Sequence, residues 1–163
     1  MKETFAIPAV GAIIEKEEDG VLYLLMQTRQ KENDHNTNGL LEFPAGKVRE
    51  YESLFVALRR EVKEETGLNL TAIAGSERTF STDVNGQLTL CAEPFCLNQN
   101  LNGAYSILLS VFLCRAEGEL LEGSDESCQI QWMRADDVLA LLLSQPERFF
   151  LMSINPLKKY FGI

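Results

Sequence analysis

Carboxylates and glycines are concentrated in one short stretch of this chain, from Gly46 to Leu68, which reads GKVREYESLFVALRREVKEETGL. The stretch follows the spacing G-x5-E-x7-R-E-U-x-E-E-x-G-U, where U is an aliphatic residue, and every specified position is filled. With average residue usage, a chance match in a chain of this length has a probability of about 10⁻⁸. Because carboxylates are preferred ligands of hard divalent cations, the stretch predicts a metal site.

A helix is the element that must position these carboxylates. We predict that it extends roughly from Ser53 to Thr66 and stops at Gly67, because glycine adopts the left-handed conformation of helix ends at little cost. At about 100° per residue, its apolar side chains form one stripe that faces a core. The members of this stripe are Leu54, Ala57, Leu58 and Val62, whereas Arg59 and Lys63 point to solvent.

The inward stripe of the predicted helix changes from apolar to acidic near the C-terminus. Glu61 and Glu65 each follow a leucine of the stripe by seven residues, and Glu64 lies at its edge. Like charges at this spacing, close to the negative end of a helix dipole, are unfavourable. Arg60 offsets part of the cost through Glu64, and Mg²⁺ or Mn²⁺ would offset the rest. A solvated acidic helix end is the alternative interpretation of the Glu64–Glu65 pair.

Two further residues of the pattern precede the helix. Gly46 would let the backbone approach the cation closely and offer its carbonyl oxygen as a ligand. Glu52 lies at the helix start, where its carboxylate would cap the helix or compensate the dipole. A longer-range hydrogen bond, a water-mediated contact with the metal or a contact with substrate is the alternative for Glu52.

The stretch resembles the Nudix box, and the order of elements around it is similar to that of Nudix hydrolases. The resemblance implies an α/β (α+β) fold, an α/β/α sandwich around a mixed β-sheet, formed as a single domain over residues 1–163. It also implies metal-dependent cleavage of a pyrophosphate bond in a nucleoside diphosphate linked to a group X. Nucleotide sugars, ADP-ribose and nucleoside triphosphates are the candidate substrates. The alternative is a non-catalytic Nudix domain that senses a nucleotide or regulates a partner, although such domains usually lose box glutamates.

The resemblance assigns roles to box residues by position. Glu61 and Glu65 would be the principal ligands of Mg²⁺ or Mn²⁺, and Glu64 would be a further ligand or the general base. The Gly46 carbonyl would complete the metal shell. Arg60 would orient the glutamates rather than contact substrate.

Outside the box, the residues give weaker indications. Glu126, in the polar segment Ser124–Ser127 before a predicted strand, is our candidate general base, and a solvated turn is the alternative. Arg29, at the end of a predicted strand, would contact a substrate phosphate or form a surface salt bridge. Aromatic side chains that would stack on a base or pack in the core are Phe80, Phe95, Tyr105 and Trp132, and His35 is expected to be solvated.

Marks of individual Nudix subfamilies are mostly absent. Residues Glu42 to Gly46 are similar to the E-x-P-A-G of ADP-ribose and nucleotide-sugar pyrophosphatases. Those enzymes also carry a proline some sixteen residues beyond the box, where this chain has Val84 and reaches its next proline at Pro94. The marks of the coenzyme A and diadenosine polyphosphate groups are not evident either. The identity of X therefore stays open.

Composition limits the partners of this 163-residue chain. Its net charge of −9 would repel nucleic acid, so a small nucleotide and a cation are the expected partners. No apolar run is long enough to span a bilayer, and the N-terminus lacks the apolar stretch of a signal peptide, so we expect a cytoplasmic protein without membrane contact. The apolar C-terminal region from Phe149 to Phe161 would form a homodimer interface or pack on the core.

Periodicity and turn signals predict the remaining elements. A hairpin of two strands opens the chain, with a turn at Glu15–Gly20, and Asn85-Gly86 marks a second hairpin. Helices are expected over Ala135–Ser144 and Glu147–Phe161, the latter broken near Pro156. The predicted strands are Phe5–Ile14, Val21–Arg29, Leu40–Phe43, Leu70–Ala74, Gln87–Ala92, Tyr105–Arg115 and Gln129–Met133.

Overall fold

The computed structural model describes residues 3–32, 36–104 and 106–163. The helices within these residues are α1 (Leu54–Thr66), α2 (Ala135–Ser144) and α3 (Leu151–Phe161). The strands are β1 (Ile7–Glu18), β2 (Val21–Arg29), β3 (Leu41–Glu42), β4 (Ala45–Lys47), β5 (Asn69–Ile73), β6 (Phe80–Val84), β7 (Gln87–Cys91), β8 (Cys96–Gln99), β9 (Ile107–Glu117) and β10 (Ser127–Arg134). His35 and Tyr105, expected as a solvated side chain and a candidate stacking ring, lie outside the described residues.

One mixed sheet organises the fold, with the strand order β10-β2-β1-β9-β5. Strands β1 and β9 are parallel, and the other pairs of this sheet are antiparallel. Three short strands extend it, because β3 pairs with β2, β4 with β1 and β8 with β9. Strands β3 and β4 lie directly before α1, so the sheet fixes where the box begins.

Helices cover both faces of the mixed sheet. Strand β1 alternates, with Val10, Ala12 and Ile14 buried on the α1 side and Ala9 and Ile13 on the side of α2 and α3. The core on the first side includes Leu58, Val62, Leu68 and Phe112, and the core on the second includes Phe43, Val138, Leu142 and Leu157. The predicted α/β/α sandwich is confirmed.

The two predicted hairpins form, although the first is longer than expected. Strand β1 continues to Glu18, where it pairs with Val21, so only Asp19 and Gly20 form the turn. Pairing with β2 overrides the polar character of this segment, which alone indicated a turn. The Asn85-Gly86 turn joins β6 and β7 with φ angles of 56° and 79°, as a type I′ turn requires.

The proline in α3 does not interrupt the helix. Pro156 lacks the N–H that would bond to the carbonyl of Met152 four residues earlier. The Asn98 side chain on β8 donates from Nδ2 to that Met152 oxygen at 2.9 Å. The helix therefore tolerates Pro156. The sequence did not predict this contact, because it did not predict β8.

The apolar C-terminal region packs largely on the sandwich. Phe149 and Met152 are buried in the α2 and α3 core, and Phe161 packs against it, whereas Leu151 is exposed. Of the two interpretations given above, core packing accounts for most of these side chains, and dimerisation stays a prediction. No helix in the described part of the chain combines the length and apolar character needed to cross a bilayer.

Candidate active site

Helix α1 forms where the box predicted it. Ser53 caps its N-terminus by accepting a hydrogen bond from the Val56 amide at 3.2 Å. Gly67 ends it with a φ of 81°, and its amide bonds back to the Lys63 carbonyl at 3.1 Å. Leu58 and Val62 are buried against the sheet, and Arg59 and Lys63 are exposed, so the predicted stripe is confirmed.

The three glutamates that continue the stripe differ in how deeply they are buried. Glu65 is 4% exposed, the Glu61 side chain is 14% exposed, and the Glu64 side chain is 53% exposed. Two carboxylates thus point inward and the third lies at the edge, as the helical spacing predicts. The solvated helix end that was the alternative interpretation accounts for Glu64 alone.

Glu65 is held by donors from the sheet rather than by a basic side chain. Its Oε2 accepts hydrogen bonds from Gln27 Nε2 at 2.9 Å and from the Ala45 amide at 3.1 Å. Burial, together with the nearby charge of Glu42, raises the pKa of Glu65 to about 8. Burial also raises the pKa of Glu42. These buried carboxylates would be stabilised by a cation.

The carboxylate of Glu61 packs directly on the backbone of Gly46. A Cβ built on Gly46 would lie 2.0 Å from the Glu61 Cδ, and 2.1 and 2.4 Å from its two oxygens. No residue with a side chain fits there while Glu61 keeps this position. The glycine of the box therefore lets its backbone lie against the Glu61 carboxylate, and its contact with a cation stays a prediction.

Arg60 joins the carboxylates of the box into a network. Its Nε and Nη2 each lie 2.8 Å from an oxygen of Glu52, and its Nη1 bonds Glu61 at 2.5 Å and Glu64 at 3.2 Å. The Arg60 hydrogen bonds lower the pKa of Glu52 to about 2, and Glu52 raises the pKa of Arg60. Glu52 thus makes the longer-range hydrogen bond considered above. It does not itself line the cleft.

A cleft of about 720 Å³ opens over these carboxylates. Gly46, Arg60, Glu61, Glu64 and Glu65 line it from the box. The residues that line it from outside the box include Arg29, Lys31, Glu42, Phe43, Asp125, Glu126 and Phe150. Among the predicted metal-binding, catalytic and phosphate-contacting residues, Glu52 alone does not line the cleft.

Arg29 is buried rather than exposed at the end of β2. Its Nη1 lies 3.2 Å from Glu42 Oε2 and its Nε donates to Thr37 at 2.8 Å. Its guanidinium carbon lies 4.1 Å from the centre of the Phe150 ring. The salt bridge of Arg29 is therefore buried in the cleft wall and not at the surface as expected, and Arg29 also lines the cleft.

Glu126 lies at the cleft in the segment before β10. Its backbone carbonyl accepts a hydrogen bond from the Gln30 amide at 2.8 Å, which fixes the segment against the end of β2. Its side chain is half exposed and is paired with Lys31. Glu126 therefore shares the cleft with the carboxylates of the box, and its role as general base stays a prediction.

The candidate stacking rings lie elsewhere. Phe80 is exposed on the β6–β7 hairpin, while Phe95 and Trp132 pack against the two cores. The rings that line the cleft are Phe43 and Phe150, which sequence reasoning did not select. Phe43 lies just before the box in the sequence, and this position could have identified it as a site residue.

Glu42 and Gln27 were also missed. Gln27 follows the apolar run of β2 and Glu42 lies between Leu41 and Phe43, and polar residues beside apolar ones are expensive to bury unless they have a role. That cost was the available signal for them, because nothing in their spacing places them beside Glu65.

The residues present fit a hard divalent cation. The donor set is Glu61, Glu64 and Glu65 with the Gly46 carbonyl, all oxygen atoms on one cleft wall. In the described residues, no three carboxylates yet converge at coordinating distance. One oxygen of Glu61, Oε1, accepts a hydrogen bond from Arg60.

The protein is thus a mixed sheet between helices, with a carboxylate-bearing helix at a cleft. The family model for the NUDIX domain matches residues 6–152, and the chain belongs to this family. A comparison with curated protein sequences gives no significant match.

Solved structures share the fold at low sequence identity. The MutT protein from Methanosarcina mazei Go1 is 21% identical, with a TM-score of 0.63 over 99% of this chain and 97% of that chain. The NUDIX domain of Shewanella oneidensis NrtR, complexed with ADP ribose, is 18% identical, with a TM-score of 0.63 over 90% and 87%. A C. elegans Ap4A hydrolase is 16% identical, with a TM-score of 0.54 over 96% of each chain.

Proposed function

We propose that this protein is a metal-dependent pyrophosphohydrolase that cleaves a nucleoside diphosphate linked to a group X. The observation that carries the proposal is the pair of inward carboxylates, Glu61 and Glu65, on a cleft wall that also contains Gly46. Nucleotide sugars, ADP-ribose and nucleoside triphosphates are the substrate classes. The net charge of −9 favours a small substrate delivered with its cation over nucleic acid.

Mg²⁺ or Mn²⁺ would be held by Glu61 and Glu65, with Glu64 and the Gly46 carbonyl completing the donor set. The bound cation would neutralise charge on the phosphates and lower the pKa of a water molecule. Gln27 and the Ala45 amide hold Glu65 in place through their hydrogen bonds. They therefore keep one ligand fixed while substrate binds.

Arg60 positions the remaining carboxylates. Its bidentate contact with Glu52 anchors the guanidinium, and the third nitrogen then reaches Glu61 and Glu64. Glu126 is our candidate for the group that accepts a proton from the attacking water. Its pairing with Lys31 keeps the side chain at the cleft before substrate arrives.

Turnover of a nucleotide panel tests the proposal. The purified protein would be incubated with Mg²⁺, Mn²⁺ or EDTA and with nucleotide sugars, ADP-ribose, dinucleotides and nucleoside triphosphates. We expect release of a nucleoside monophosphate that stops in EDTA. Nucleotide binding without turnover of any substrate would instead support the non-catalytic sensor.

The Glu65→Gln variant tests the ligand assignment. Loss of a charged metal ligand should reduce kcat by at least about 100-fold, because electrostatic stabilisation carries most of the rate in phosphoryl-type chemistry. Gln keeps the shape and the hydrogen bond from Gln27, so the fold should be retained. Glu17→Gln, an exposed carboxylate on β1, is the matched control and should have normal activity. Near-normal turnover in Glu65→Gln would contradict the assignment.

A further inference from the structure

Lys31 lines the cleft from a backbone position that is fixed on both sides. It follows the end of β2, and its amide donates to Asn38 Oδ1 at 2.7 Å, while Asn38 Nδ2 donates to the Lys31 carbonyl oxygen at 3.0 Å. The preceding amide, that of Gln30, bonds to the Glu126 carbonyl at 2.8 Å. The backbone of Lys31 is therefore held at the cleft, whereas its flexible four-carbon stem lets the ammonium group move.

The ammonium group of Lys31 acts on carboxylates from both parts of the cleft. It forms an ion pair with Glu126, in the segment before β10. Burial raises the pKa of Glu42 and of Glu65, and the positive charge of Lys31 is one of the effects that lower the pKa of both. The charge of Lys31 thus reaches the wall that contains the proposed metal ligands, where the diphosphate of the substrate would lie.

The ion pair of Lys31 is easier to exchange than those of two arginines at the same cleft. Arg29 and its partner Glu42 are both buried, and separating them would leave a buried charge without compensation. Arg60 holds three glutamates of the box at once. The Glu126 side chain is 52% exposed, so water replaces its partner at little cost. Lys31 is therefore suited to change partners when an anion enters the cleft.

We propose that Lys31 binds the diphosphate of the substrate and that this contact separates Lys31 from Glu126. An ammonium group offers three donors and a compact charge to phosphate oxygens. A diphosphate carries more negative charge than one carboxylate, so it attracts the ammonium group more strongly than Glu126 does. Glu126 is then left without its counter-ion, and its carboxylate is free to accept a hydrogen bond from water. The proposal rests on the proposed function, because it names a contact of that substrate.

Binding of inorganic pyrophosphate tests this contact without requiring turnover or knowledge of X. Titration calorimetry of the whole protein with Mg²⁺ should show at least about tenfold weaker binding to Lys31→Met, since a charge-assisted hydrogen bond is lost. Lys31→Arg keeps the charge and should bind within about threefold of the parent. Lys158→Met, at an exposed position near the end of α3, is the matched control and should bind pyrophosphate as the parent does.

The Glu126→Gln variant distinguishes a direct contact from neutralisation of Glu126. Loss of this carboxylate releases Lys31, so Glu126→Gln should bind pyrophosphate more tightly than the parent. In the Glu126→Gln background, Lys31→Met should still weaken binding about tenfold, because the contact with phosphate is lost. The titrations are made at about 0.15 M salt, which screens the effects of more distant charges. An effect below about threefold in this background would show that Lys31 only neutralises Glu126 and would overturn the proposal.

An unchanged pyrophosphate affinity in Lys31→Met, or no measurable binding of pyrophosphate to the parent, would also overturn the proposal. Hydrolysis of the nucleotide panel is measured in parallel, and the KM of a hydrolysed substrate should rise about tenfold in Lys31→Met. Pyrophosphate binding that depends on Lys31, without hydrolysis of any nucleotide, would refute the proposed function alone. Hydrolysis with an unchanged KM in Lys31→Met would refute this inference alone.

Discussion

Replacing Gly46 with alanine probes the contact between the backbone and the Glu61 carboxylate. The new methyl carbon would lie 2.0 Å from the Glu61 Cδ, whereas ordinary contact begins at 3.4 Å. The carboxylate must therefore move by roughly 1.4 Å, the difference between these two distances. The φ of Gly46 is not positive, so alanine introduces no backbone strain of its own.

The expected result is a large loss of activity with a small loss of stability. Misplacing a reacting group by about 1 Å can reduce the rate about 100-fold, and we expect at least that fall in kcat. The Glu61 side chain borders the cleft and can swing into it, so the free energy of unfolding should fall by no more than about 1–3 kcal/mol. The Mg²⁺ concentration for half-maximal rate should rise, since Glu61 is a proposed ligand.

Steady-state kinetics across a Mg²⁺ titration, with thermal unfolding of the same samples, would measure both effects. Gly86→Ala is the control, because it strains a positive φ of 79° in the exposed β6–β7 turn. It should lower stability by about 1 kcal/mol and leave kcat unchanged. If Gly46→Ala keeps kcat and its Mg²⁺ dependence within threefold of the parent, Glu61 does not bind the metal from its present position.

Three further predictions concern the charges of the site. The pKa of Glu65 rises from its ordinary 4.5 to about 8 on folding, so the metal-free protein should lose stability as pH increases through this window. Metal-free Glu65→Gln should then unfold at a higher temperature than the parent at pH 8.5 but not at pH 4.5. If the variant and the parent unfold at the same temperature at both pH values, burial does not raise the pKa of Glu65. The pKa of Glu52 is lowered to about 2 by Arg60, so its contribution is present above pH 4.5 and lost as pH falls towards 2. Arg60→Ala should therefore reduce the unfolding temperature more at pH 7 than at pH 3. Glu126→Gln should reduce kcat about 10²–10⁴-fold and remove the fall in rate at the acidic side of the pH–rate profile. If that fall in rate is unchanged, Glu64 and not Glu126 is the general base.

The part of the site that the sequence predicted is the part set by local periodicity. The spacing of Leu58, Glu61, Val62 and Glu65 fixes their directions once the segment is helical, and Gly67 fixes where the helix ends. The hairpin turn at Asn85-Gly86 is equally local. Such features need no knowledge of what the helix packs against, and the structure agrees with them.

Residues from other elements could not be placed in this way. Phe150 reaches the cleft because its amide bonds to the Leu41 carbonyl at 2.8 Å, a pairing between segments more than one hundred residues apart. Arg29 meets Glu42 because β2 pairs with β3. The residue spacing within one segment does not show how two distant segments pair. The sequence therefore indicated Arg29 as a site residue without its partner Glu42, and it did not indicate Phe150 as a site residue.

The buried polar residues beside Glu65 show why such a site costs stability. Gln27 and Glu42 are opposite each other in the pairing of β2 with β3, in positions where apolar residues would pack without loss. Gln27 is fully buried, and its Oε1 has no partner among the described residues although its Nε2 bonds Glu65. An apolar residue at position 27 would remove that orphaned oxygen but would also leave Glu65 with the Ala45 amide as its remaining donor. The arrangement is therefore explained by what it does for Glu65: it holds a buried carboxylate in one orientation, at the position where a cation would compensate its charge.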